Sequence, residues 1–79
     1  MSYSACQDEE TRLYKLFIDK VKGRVAIPRI EYYTTIDNIA KEHPEIKADD
    51  VHFAILNHGW HPALVSEGNK SILCMVKPN

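Results

Sequence analysis

Apolar residues recur at helical spacing in three stretches of this chain and alternate at strand spacing near its carboxyl end. Leu13, Leu16, Phe17 and Val21 form the first stripe, and Tyr14 and Ile18 widen it. Ser4-Ala5-Cys6-Gln7 has the form of a capping box with the acidic run Asp8-Glu9-Glu10 behind it, and Lys20, Lys22 and Gly23 mark the helix end. Val25 and Ile27 predict a brief edge strand, which Pro28 ends. Ile30, Tyr33, Ile36 and Ala40 fit one continuous helix from about Pro28, because proline suits a first turn. The alternative is a shorter helix capped by Thr34 or Thr35, with Tyr32-Tyr33 in a loop.

His43-Pro44-Glu45 stops this second helix, whose inward side carries Ile36, Ile39 and Ala40. A third helix begins near Ala48, with Lys47 in the capping position and Asp49 and Asp50 complementing the dipole. It carries Val51, Ala54 and Ile55 inward and closes at Asn57-His58-Gly59. Ala63 to Ser66, a turn at Glu67-Gly68-Asn69, and the alternating run Lys70 to Val76 then make a hairpin. Ile72, Cys74 and Val76 share one face of the second strand, and Ser71, Leu73 and Met75 the other. The fold class is therefore α+β: three helices and a C-terminal two-stranded hairpin, in one small domain with residues 1–5 and 78–79 frayed.

Two apolar helices joined across a proline-containing break, from Thr35 to Trp60, make the pattern of a helix-turn-helix. With the Ile36…Ile39-Ala40 helix, the turn at Pro44, Val51…Ala54-Ile55, Gly59-Trp60 and the hairpin around Gly68-Asn69, the chain resembles the winged helix-turn-helix family over about residues 8 to 77. The segment IDNIAKEHPEIKADDVHFAIL also resembles the helix-turn-helix of some small antitoxin-type proteins. The resemblance implies that the third helix enters the major groove of double-stranded DNA while the hairpin touches backbone or minor groove. On that reading His52, Asn57, Asn69, Lys70, Arg24 and Arg29 are the DNA contacts, and the protein is a small transcription regulator.

Composition qualifies this expectation. A chain of 79 residues buries only roughly 60% of its unfolded surface, so its core is thin. With 10 Lys+Arg against 11 Asp+Glu the net charge is −1, which argues against general affinity for phosphate backbones. Basic residues (Arg12, Lys15, Lys20, Lys22, Arg24, Arg29) gather in the first third. With Val51 and Ile55 inward, the third helix turns Asp49, Asp50, Phe53, Leu56 and Asn57 outward, with Trp60 just beyond its end. Either the hairpin folds over Phe53, Leu56 and Trp60, or they remain an exposed patch.

The alternative function is a protein-binding inhibitor or adaptor of phage or plasmid type, using the scaffold without DNA and contacting a host protein through Asp49, Phe53, Leu56 and Trp60. A homodimer through the same patch is a third possibility.

Candidate chemistry is sparse. His52, His58, His61 and Cys74 make no CxxC or HxxxH pair, so no metal is expected. Cys6 and Cys74 read as reduced thiols, Cys74 in a strand, with no base placed to activate either. Asp49 and Asp50 point about 100° apart on a helix and do not converge as paired acids. The three glycines are scattered and make no phosphate loop. No enzyme activity and no cofactor are expected. With no signal peptide and no apolar run of spanning length, the expected location is cytoplasmic, without membrane association.

Overall fold

In the computed structural model residues 2–78 are described, with side chains from Asp8 onward. Helix α1 (Ser2–Val21) leads into strand β1 (Ala26–Pro28), helices α2 (Arg29–Glu42) and α3 (Ala48–Asn57), and the hairpin β2 (His61–Glu67) and β3 (Lys70–Val76). The α+β class is as the sequence predicts. The difference is in the sheet: β1 pairs antiparallel with the outer side of β3, so the hairpin is part of a three-stranded sheet of order β1-β3-β2. A lone hairpin is marginal in water, and the third strand lets Ile27 and Met75 close the core from the sheet side.

The α1 backbone is already helical at Ser2, so the capping box lies inside the helix. The side chains of that box are outside the described residues. At its other end Lys22 (φ 40°) and Gly23 (φ 78°) take left-handed conformations, the usual way a helix stops at glycine. Leu13, Phe17 and Val21 are the buried stripe.

Pro28 ends β1 and occupies the position before α2, its φ of −54° and ψ of 144° fitting both roles. The continuous helix is the correct alternative. Its β-branched pair is accommodated because Thr35 Oγ1 donates to the Glu31 carbonyl one turn back, at 2.8 Å. Tyr32, Ile36 and Ile39 face inward, whereas Ile30 and Tyr33 face solvent. Ile46, in the turn between α2 and α3, is buried too. Its amide donates to the His43 carbonyl at 2.8 Å, which pins the turn over the core. In α3 the inward residues are Val51, Ala54 and Ile55, as the spacing predicts.

Trp60 is a correction. It is 2% exposed and belongs to the core, not to an outward patch. Gly59, at φ 100°, reverses the chain after α3 and sends the indole back toward α1. There the ring packs edge-on against Phe17 with centroids 5.1 Å apart, and Nε1 donates to the Tyr14 hydroxyl at 3.0 Å. Tyr14 itself stacks on His58, centroids 3.9 Å apart, and His58 Nδ1 donates to the Ala54 carbonyl at 2.9 Å.

The two-residue Gly68-Asn69 turn, with Gly68 at φ 64°, sets the hairpin register: Glu67 opposes Lys70, Leu64 opposes Leu73, and Pro62 opposes Met75. Pro62, Leu64, Leu73 and Met75 thus share the face that carries Ile27 and looks toward the helices. β2, like β1, is an edge of the sheet, and it has no buried residue.

Candidate interaction surface

Where α2, α3 and the hairpin meet there is a cleft of about 320 Å³. Arg29, Tyr32 and Tyr33 come from α2, His52 and Leu56 from α3, and Pro62, Leu73 and Met75 from the sheet. Helical spacing explains the first group: Tyr33 and Ile30 lie on the outward stripe of α2, one residue or so round from the buried Tyr32. Strand alternation explains the last, since Leu73 follows Met75 on the helix-facing side of β3 but lies beyond the reach of the core.

Among the described residues, four of the six large exposed apolar side chains border this cleft or adjoin it. Tyr33 and Leu73 line it; Ile30, 83% exposed, lines a neighbouring recess that shares Arg29, Tyr33 and Leu73. Leu64 stands across the strand pair from Leu73, whereas Phe53, next to His52 on α3, lines a separate recess with Leu13 and Ile46. Val25 stands apart as well. The polar groups of the cleft are few. The buried Tyr32 hydroxyl lies 2.7 Å from His52 Nδ1. Burial pushes the Tyr32 phenol well above its usual range, so it stays protonated. Arg29 makes no ion pair among the described residues.

The residues expected to contact DNA do not form one surface. Arg29 and His52 meet in the cleft. Arg24 is ion-paired with Glu31. Asn57 Nδ2 donates to Glu10 on α1 at 3.0 Å, so its amide is engaged within the fold. Asn69 and Lys70 are exposed at the hairpin tip, Lys70 opposite Glu67. Of the residues expected to hold a partner, Asp49 and Phe53 are exposed and Leu56 forms part of the cleft wall, while Trp60 is removed to the core. Asp49 and Asp50 sit unpaired among the described residues at the start of α3.

Sequence reasoning missed Ile30, Tyr33 and Leu73 as surface residues. The signal was available for the first two: a wheel begun at Pro28 with Tyr32, Ile36 and Ile39 inward leaves an apolar stripe outward. Leu73 could not be found that way, because alternation gives its face but not how far the helices extend over it.

Cys74 is a buried free thiol. Among the described residues no three His, Cys, Asp or Glu side chains gather as a metal would require, and no helix is long and apolar enough to cross a membrane. No protein family, no curated protein and no solved structure matches the chain.

Proposed function

We propose that this chain is a protein-docking module on a winged-helix scaffold, and that its partner is held in the cleft between α2, α3 and the hairpin. The observation that carries this reading is the gathering of Ile30, Tyr33 and Leu73, with Leu64 across the strand pair, around that one cleft. Exposed apolar side chains scattered singly are ordinary, but a contiguous set around a concave site is the character of an interface core. Tyrosine and arginine, both present, are the side chains that most often anchor such interfaces. The partner chemistry that fits is an apolar segment carrying a carboxylate for Arg29.

DNA recognition is the second reading. The order helix, strand, two helices, hairpin supports it, as do the exposed Arg29, Asn69 and Lys70. Against it stands the outward face of α3: Asp49 and Asp50 would repel phosphates, Asn57 is bonded to Glu10, and His52 to Tyr32. Ile30→Asp and Tyr33→Asp separate the two readings. Both leave core residues untouched, so a protein partner is lost from each variant while duplex binding is not.

A further inference from the structure

We infer that β2 is a self-complementary edge, by which two copies of this chain join into a continuous six-stranded sheet. Three features of the backbone show which groups of β2 are free. The two-residue turn makes Glu67 and Lys70 a bonded pair, so Val65–Ile72, Ala63–Cys74 and His61–Val76 also exchange hydrogen bonds with β3. The Lys77 amide donates to the Val25 carbonyl at 2.8 Å, which requires the same parity along β3. Pro62, which has no N–H to give, then faces the open side, where proline is tolerated. The backbone groups left without a strand partner are those of Pro62, Leu64 and Ser66.

A strand with both faces apolar and one open edge is a template for another strand. Leu64 is 71% exposed on one face, with Ala63 and Val65 on the other. The sequence HPALVSE matches itself when run antiparallel about Leu64. Leu64 opposes the partner's Leu64, and each amide donates to the other's carbonyl. The Ser66 amide donates to the partner's Pro62 carbonyl, the acceptor that proline retains. Ala63 opposes the partner's Val65. His61, whose Nδ1 lies 3.3 Å from the Gly59 carbonyl, opposes the partner's Glu67, placing an imidazole ring against a carboxylate in a pair without backbone bonds, where side chains approach closely. No like charges meet in this register. Any register displaced by two residues loses the His61–Glu67 pairing and leaves Leu64 facing Pro62 or Ser66. The occupant this edge fits is therefore a second copy. Both clefts would open on the same side of the joined sheet, because directly opposed residues share a face.

The test is sedimentation equilibrium with light scattering on the full chain, together with nuclear Overhauser spectra of a mixed-label sample. The expected result is a dimer at high-micromolar concentration, with a cross-chain contact between the α-protons of Ala63 and the partner's Val65. Leu64→Pro removes a donor that faces the open edge and the side chain that meets its twin, while leaving the backbone bonds to β3 in place, and it should weaken dimerisation at least about tenfold. Glu67→Lys should weaken it as well, and His61→Glu combined with Glu67→Lys should restore it, which a merely misfolded hairpin would not do. A chain that stays monomeric at every concentration overturns the inference, and so does a dimer that lacks the Ala63–Val65 contact.

Discussion

The Trp60 indole N–H donates to the Tyr14 hydroxyl at 3.0 Å, and this bond ties the segment after α3 to the middle of α1. It also settles which aromatic residues hold the fold and which face outward. Phe53, on the opposite side of α3 from the core, is 58% exposed. Trp60→Ala should therefore cost about 3–5 kcal/mol of unfolding free energy and Tyr14→Phe about 1–3 kcal/mol, since the latter leaves a buried donor unpaired. Phe53→Ala should stay within about 1 kcal/mol of the parent. Denaturant unfolding of the three variants checks the ranking.

Tyr32 gives the chain a definite alkaline limit. Its folded pKa lies above the unfolded value of 10.0, so its contribution is fully present below that value and is lost as pH rises toward the folded one. Stability should decline from about pH 10 upward. Tyr32→Phe should be less stable near neutrality, because His52 loses its bonded partner, yet should show a flatter decline in alkali. Unfolding midpoints between neutral and strongly alkaline pH measure both effects.

At the acid end two carboxylates act in the opposite sense. Lys20 holds Glu42, and its own backbone amide followed by Arg12 holds Glu45, below the usual carboxylate range. Depressed folded values mean that their support is present above the unfolded pKa and is lost as pH falls through the folded one. Both pairs are exposed, so the loss should be small and should shrink further in high salt. Lys20→Ala and Arg12→Ala should each reduce the acid slope of the unfolding midpoint.

Duplex DNA should bind weakly and without sequence preference. Asn57 is bonded to Glu10 and the start of α3 is acidic, so little remains on this helix to read base edges. A mobility-shift titration at low salt checks this. Asn57→Ala should change nothing, whereas a sequence-specific complex lost on that substitution would make α3 a recognition helix.

Much of the fold was legible because it rests on local physics. Helical stripes in α1 and α3, the proline that precedes α2, the glycines that end helices and the Gly68-Asn69 turn each act over a few residues. The exceptions depend on distant partners. Trp60 follows the helix that would have displayed it, and only the reversal at Gly59 and the presence of Tyr14, far earlier in the chain, turn it inward. The pairing of β1 with β3 joins segments separated by two helices. The cleft was hidden for the same reason: Ile30, Tyr33 and Leu73 come together only once α2 packs beside β3. Asp49, Phe53 and Leu56 keep the outward positions that the sequence suggested, because they lie on the same helix and their facing is a local matter.

Whether that cleft holds a protein is measured most directly by affinity capture from the cells that make this chain, with nuclease present throughout, comparing the parent with Ile30→Asp and Tyr33→Asp. The expected result is a partner that survives nuclease with the parent and disappears with both variants, while their circular dichroism and unfolding midpoints stay near the parent's. A partner released by nuclease, or one retained at full strength by both variants, would contradict it.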